Sequence, residues 1–135
     1  LTACDGVLIP VQCEYLALEG LAQMKGTLEL VRENLNPSLE LFGLLLTMYD
    51  PRTRLSTMVV NDVRRLFPNR TFTTVIPRSV RLAEAPSFGQ SIFEYDPTSR
   101  SADAYRTLGT EVEARARLSA PAASIPMDNA VQASV

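Results

Sequence analysis

A doubly wound α/β domain with a mostly parallel sheet is the fold class this sequence predicts, and three observations carry it. The continuous apolar runs Val7–Val11 and Leu44–Leu46, and the β-branched run Thr71–Ile76, read as strands buried on both faces. Between them lie stretches whose apolar residues recur at spacings of three and four, the helical period. The resulting order of strand, helix, strand, helix, strand fits a sheet with crossover helices.

Each element has its own signals. In the first strand, Pro10 argues for an end or an irregularity. Leu18, Leu21, Met24, Leu28 and Val31 then form one stripe, predicting a helix from Leu16 to Glu33 that Gly20 and Gly26 weaken locally. Pro37 cannot continue it, so Asn34–Ser38 is the stop. The second strand lies within Leu39–Tyr49 and ends at the turn signal Asp50-Pro51. A second helix is predicted from Leu55 to Phe67, with Leu55, Val59, Val63 and Leu66 as its apolar stripe. The third strand, Thr71 to Ile76, ends at Pro77. Arg78 to Ser91 shows no period and holds Pro86 and Gly89, so it reads as a long loop. A last helix is predicted from Ser99 to Leu118, with Tyr105, Leu108 and Val112 facing the sheet. Ser119 to Val135 is rich in Ala, Ser and Pro and is expected to be a disordered tail, leaving residues 1–118 as the folded portion.

Composition narrows the function classes. A chain of 135 residues, 46% apolar and 21% charged, fits one globular domain rather than a disordered segment. There is no histidine, which excludes a Ser-His-Asp triad, a histidine general base and a histidine metal site within this chain. Cys4 and Cys13 form neither a disulfide framework nor a zinc-ligand set and read as reduced thiols. No apolar run approaches the ~20 residues of a membrane span, and the first residues lack a signal-peptide pattern, so a cytoplasmic setting without membrane contact is expected.

Net charge is only −2, but its distribution is uneven. Between Pro51 and Arg81, seven arginines (Arg52, Arg54, Arg64, Arg65, Arg70, Arg78, Arg81) stand against Asp62, a local balance of +6 that leaves −8 for the remainder. Such asymmetry suits a polyanion, since each arginine that neutralises a phosphate releases counterions. Solvated arginines scattered over different helix faces are the alternative.

Ligands of open α/β sheets bind outside the carboxyl ends of the strands. Three turns qualify: Gln12-Cys13-Glu14, Met48-Tyr49-Asp50 and Pro77-Arg78-Ser79. At these turns the wording of the chain becomes specific. Ile9-Pro10-Val11-Gln12-Cys13-Glu14-Tyr15 with Ala17-Leu18-Glu19-Gly20-Leu21, then Leu45-Leu46-Thr47-Met48-Tyr49-Asp50 with Arg52-Thr53, resembles the ParA/Soj family of chromosome-partitioning ATPases. The likeness continues through Thr74–Ser87 and Tyr95-Asp96-Pro97-Thr98-Ser99-Arg100. It covers roughly Leu1 to Ala116, about the C-terminal half of a typical member.

The resemblance implies part of a deviant Walker A P-loop NTPase sheet, from an ATPase that dimerises with ATP, binds DNA nonspecifically and works with a ParB-type partner in chromosome or plasmid partitioning. ATP and Mg2+ are the implied cofactors of the full-length protein, and a nucleoid-associated location follows. The family's Lys-Gly-Gly-x-Gly-Lys-Thr loop has no counterpart in these residues, and Lys25 falls in a helix. Phosphoryl transfer depends on positioning and electrostatics, so the chain by itself is expected neither to bind nucleotide tightly nor to hydrolyse ATP, and no catalytic or metal-binding residue is assigned in it.

Carried over residue by residue, the resemblance places Met48, Pro77, Arg78 and Ser79 on the adenine side, although Met48 also fits a core gap-filler and Arg78 also suits DNA. Gln12 and Glu14 would approach nucleotide or the dimer partner; for Glu14, helix capping or a surface hydrogen bond is the alternative. Arg52 and Arg81 fall on DNA-binding positions, and both lie in the basic segment. Arg54, Arg64 and Arg65 either extend that patch or are solvated helix residues. Three other readings compete: a stand-alone DNA-binding or interaction module without ATPase activity, a cobyrinic acid amidase relative, and a MinD-like membrane-cycling ATPase. The last loses ground because no Lys or Arg follows Leu118 to build a basic membrane helix.

Overall fold

The computed structural model describes residues 1–119. Three parallel strands, β1 (Gly6–Gln12), β2 (Glu40–Tyr49) and β3 (Thr71–Pro77), lie side by side in that order. Helix α1 (Ala17–Asn34) connects β1 to β2, and α2 (Arg54–Leu66) connects β2 to β3. Beyond β3 come α3 (Val80–Glu84), a 3-10 turn (Ala85–Phe88), α4 (Ile92–Tyr95) and the long α5 (Arg100–Ser119).

The strands alternate their side chains between two cores, which is what makes the sheet the middle of three layers. On one face Ile9, Val11, Leu44 and Leu46 pack with Leu21 and Leu28 of α1 and Val59, Val60 and Val63 of α2. On the other, Leu45, Phe72 and Ile76 pack with Leu108 of α5, flanked by Leu82, Tyr105 and Val112. Helices therefore cover both faces, as the doubly wound class requires.

Pro10 lies inside β1, paired with Leu45, rather than at its end; the expected irregularity falls between Val7 and Leu8 instead. The ladder explains why proline is tolerated. Cys13 N–H donates to Thr47 O at 2.9 Å, so by alternation the missing N–H of Pro10 faces the open side of β1.

In α2 the expected stripe is rotated. Leu55 and Leu66 are exposed, whereas Ser56 is buried with Val59, Val60 and Val63. Thr53 caps this helix, accepting from Ser56 N–H at 3.3 Å, and that turn aims Ser56 inward, where its Oγ donates to Cys13 O at 3.0 Å. The stretch Arg78–Ser91 is not a loop but holds α3, the 3-10 turn and, at Ser91, the N-cap of α4. These helices are too short to show a period, and caps specify them: the Ser91 and Glu94 side chains form a capping box, and Gly89 ends the 3-10 turn with φ +65°. The expected tail from residue 120 onward lies outside the described residues.

Both sheet edges differ in finish. Along the outer side of β3, Glu111 of α5 accepts from Thr73 N–H at 2.7 Å and Thr74 N–H at 2.9 Å, while Arg64 donates to Thr73 O at 3.0 Å. Side chains thus occupy backbone groups that an unpaired edge would leave free. Arg115 completes this end, lying 4.0 Å from the Phe72 ring centroid and donating to the carbonyls of Phe42, Arg70 and Thr71.

Candidate functional site

Because the strands are parallel and adjacent, their three carboxyl-end turns come out at the same edge. Backbone bonds continue the ladder past the strands: Cys13 N–H donates to Thr47 O and Arg78 N–H to Tyr49 O, each at 2.9 Å. Glu14, after β1, and Arg78, after β3, form an ion pair with β2 between them in sheet order.

Met48, Pro77, Arg78 and Ser79 line one cleft of about 440 Å3, together with Thr47, Ile76, Val80 and Tyr105. The walls are mainly apolar, with a few polar groups at the rim, the usual make-up of a small-molecule site. Met48 adopts φ +53° within β2, where a non-glycine residue rarely sits. Strained backbone of this kind costs about 1–3 kcal/mol and clusters at functional sites.

A second cleft, about 540 Å3, lies beside the first and shares Arg78 with it; Cys13, Glu14, Asp50 and Ser56 form its other walls. Gln12 pairs with Thr47 in the ladder but does not line the Met48 cleft. It lines a third cleft of about 590 Å3 along β1 and the start of α1, which Glu14 also borders. Cys13 is buried, and burial pushes its thiol up to about 11 against a smaller lowering by Arg64, so it is no nucleophile at neutral pH.

The basic segment is largely compensated. Arg52 forks onto Asp50, with Nε 2.9 Å from Oδ1 and Nη2 2.7 Å from Oδ2. These bonds from Arg52 hold the Asp50 carboxyl down at about 2, and the same contact raises Arg52 above its ordinary range. Arg81 lies 3.4 Å from Glu84 and 3.7 Å from Asp96, with its guanidinium 5.9 Å from the Tyr95 ring centroid. The Tyr95 hydroxyl, then Glu84 and Asp96, hold Arg81 above its ordinary range. Arg65 pairs with Asp62 and Arg78 with Glu14; Arg64 and Arg70 donate to backbone carbonyls of Thr73 and Leu41. Among the described residues only Arg54 of the seven has neither kind of partner. The count over Pro51–Arg81 did not reveal this because Glu14, Asp50, Glu84 and Asp96 all lie outside that window.

Sequence reasoning placed Asp50 in the turn after β2 without giving it a role, and missed Ser56, Glu84 and Tyr105 as parts of this edge. That role was readable, because Asp-Pro-Arg is a turn in which an aspartate accepts from the backbone N–H two residues on, as Asp50 does here from Arg52 N–H at 3.0 Å.

The residues fit the implied nucleotide in part. The Met48–Pro77 cleft has apolar surface for a base ring and polar groups for its edge. Among the described residues no group of three or more Cys, Asp or Glu is placed to hold a metal ion, so these residues offer no ligand set for Mg2+. Nor is any described helix long and apolar enough to cross a membrane.

Comparison with known proteins gives a consistent picture. A family described as an AAA domain matches residues 1–41. The chromosome-partitioning ATPase Soj of Thermus thermophilus is 56% identical over 115 residues, which are 85% of this chain and 46% of that protein. The sporulation initiation inhibitor protein Soj of Bacillus subtilis is 54% identical over 114 residues (84% and 45%), and the chromosome partitioning protein ParA of Myxococcus xanthus is 49% identical over 115 (85% and 41%). The chain thus spans less than half the length of these curated relatives. Among solved structures, cobyrinic acid a,c-diamide synthase from Mycobacterium smegmatis superposes with a TM-score of 0.62 at 33% identity, covering 87% of this chain and 40% of that one. The same enzyme with bound ADP and magnesium matches equally well, at 39% of its length. The higher identity lies with the partitioning proteins, and over about 85% of its length this chain is a homologue of the Soj and ParA partitioning proteins.

Proposed function

We propose that this chain, with residues 1–118 as its folded unit, supplies the adenine-facing wall and a DNA-contacting flank of a Soj/ParA-type chromosome-partitioning ATPase. The observation that carries the reading is the convergence of Met48, Pro77, Arg78 and Ser79 on one cleft at the carboxyl edge of a parallel sheet. In this reading the Met48 side chain and the Pro77 ring pack on the base, backbone groups around Arg78 and Ser79 read its edge, and Glu14 orients Arg78. ATP with Mg2+ provides the phosphoryl group and the charge neutralisation when bound. Arg52 and Arg81, in the segments that follow β2 and β3, contact DNA phosphates without reading sequence. A ParB-type partner, a nucleotide-dependent homodimer and a nucleoid location belong to the same proposal.

The solved-structure matches favour one other reading, a cobyrinic acid a,c-diamide synthase relative. Exchange of the matching segment of the T. thermophilus protein for residues 1–115 of this chain separates the two. Retained ATP turnover and DNA retention, with turnover lost in Met48→Glu, supports the partitioning reading. A folded chimaera that binds adenine nucleotide but never retains DNA favours the second.

A further inference from the structure

The two arginines assigned to DNA are each held by carboxylates of the same chain. Asp50 receives three bonds from Arg52: the backbone N–H at 3.0 Å, Nε at 2.9 Å and Nη2 at 2.7 Å. The Asp50 side chain is only 14% exposed, whereas that of Arg52 is 85% exposed. The carboxylate is therefore the anchored half of the pair and the guanidinium the presented half. Nη1 of Arg52 has no hydrogen-bond partner among the described residues, so one edge of the fork points to no internal acceptor.

An arginine so held meets a phosphate differently from a lone one. Its fork is already oriented, which lowers the ordering cost of a contact. Its charge, however, is already balanced, so the contact adds little net neutralisation and releases few counterions. The carboxylate also stands beside the incoming phosphate and repels it.

We propose that Asp50 is an affinity-limiting counter-charge for the Arg52 phosphate contact, which keeps polyanion binding weak and its salt dependence shallow. This rests on the DNA reading above and deepens it. Glu84 and Asp96 act likewise on Arg81, but they share it at 3.4 and 3.7 Å, so removing either one leaves the other in place. Asp50 is the stronger brake of the two sets.

The test is fluorescence-polarisation binding of the T. thermophilus chimaera, with ATP and Mg2+ present, to mixed-sequence duplex DNA across a salt series, with Asp50→Asn as the key variant. Asparagine keeps an Oδ1 to accept from Arg52 N–H, so the turn survives while the charge is removed. Binding should tighten about threefold to tenfold at low salt, and the slope of log K against log salt should steepen by up to ~0.9. The gain should be clearly smaller in an Arg52→Ala background, and Glu84→Gln should give a weaker version of it. Asp62→Asn, which frees Arg65 instead, is the control for bulk charge.

Equal gains from Asp50→Asn with or without Arg52, or from Asp62→Asn, would reduce the effect to net charge and overturn the proposal. So would an unchanged or weakened Asp50→Asn whose circular dichroism is native while Arg52→Ala still lowers binding; the DNA reading would then stand alone. If neither Arg52→Ala nor Arg81→Ala weakens binding, or if no variant binds at the lowest salt, the DNA assignment fails and takes this inference with it.

Discussion

Glu14 and Arg78 join the turn after β1 to the turn after β3 across the end of the strand between them. Both side chains are about half exposed, at 47% and 49%. An ion pair in that setting is worth about 0–1 kcal/mol and is screened by salt. A double-mutant cycle with Glu14→Ala and Arg78→Ala, read by urea unfolding, should therefore give a coupling below about 1 kcal/mol that fades at high salt. A large coupling would mean that the pair holds the fold together. A small one is consistent with a group whose purpose is to place Arg78 between two clefts.

Gly43 faces a crowded point. A Cβ there would fall against the Phe72 ring and 2.7 Å from Nη1 of Arg115. Phe72 is fully buried, so neither neighbour can yield without disturbing the β3 end. Gly43→Ala should cost roughly 1–3 kcal/mol through overpacking. Gly26, inside α1, has nothing within 4 Å of its would-be Cβ, and Gly26→Ala should stabilise by about 0.5–1 kcal/mol. Opposite shifts in urea midpoint from the same chemical change would separate contact from backbone entropy; two shifts of the same sign would refute the steric account.

These two glycines also show how far a one-dimensional reading reaches. Gly26 was legible as a weak point of a periodic helix, since its effect is local. Gly43 was not, because the atoms that need its missing Cβ come from Phe72 and Arg115, tens of residues away. The same division runs through the molecule. The strands were legible because burial on both faces leaves unbroken apolar runs, and their order with the helices gave the three layers. The stripe of α2 was misplaced because the rule that leucines face inward ignores the Thr53 cap, which turns Ser56 toward Cys13. The helices after Arg78 escaped periodicity, although Ser91 and Glu94 at capping-box spacing were a usable signal. At the candidate site the residue types and their turns were readable, whereas the counter-charges on Arg52 and Arg81 depend on geometry.

Glu111 makes acid stability predictable. Partial burial pushes its carboxyl up, but the bonds from Thr73 N–H, Thr74 N–H and the Thr74 hydroxyl, with the charge of Arg115, outweigh that and leave it below the ordinary glutamate range. A group whose folded pKa is depressed stabilises the fold above its unfolded pKa, and this contribution is lost as pH falls through the folded one. Stability of the wild-type chain should accordingly drop on the acid side of the ordinary glutamate range, and Glu111→Gln should flatten that part of the profile while lowering the neutral plateau. Amide exchange at Thr73 and Thr74 should quicken in the variant. Unchanged protection at both would show that Glu111 does not close the β3 edge.

Met48 links the strain in the fold to the proposed ligand. Its φ of +53° is unfavourable for any side chain and worst for a β-branched one, whose second heavy atom on Cβ crowds the backbone. Met48→Val should therefore destabilise by roughly 1–3 kcal/mol. Met48→Asn, a residue that tolerates this region, should unfold close to wild type, because the relief of strain offsets the packing lost by a half-buried side chain. That near-neutrality makes the asparagine variant a clean probe of function. In the T. thermophilus chimaera, Met48→Asn should weaken adenine nucleotide binding while guanine and adenine nucleotides become harder to distinguish, since a polar group replaces the apolar face that packs on the base. Retained affinity and selectivity in a stably folded Met48→Asn protein would place the base somewhere other than the Met48–Pro77 cleft.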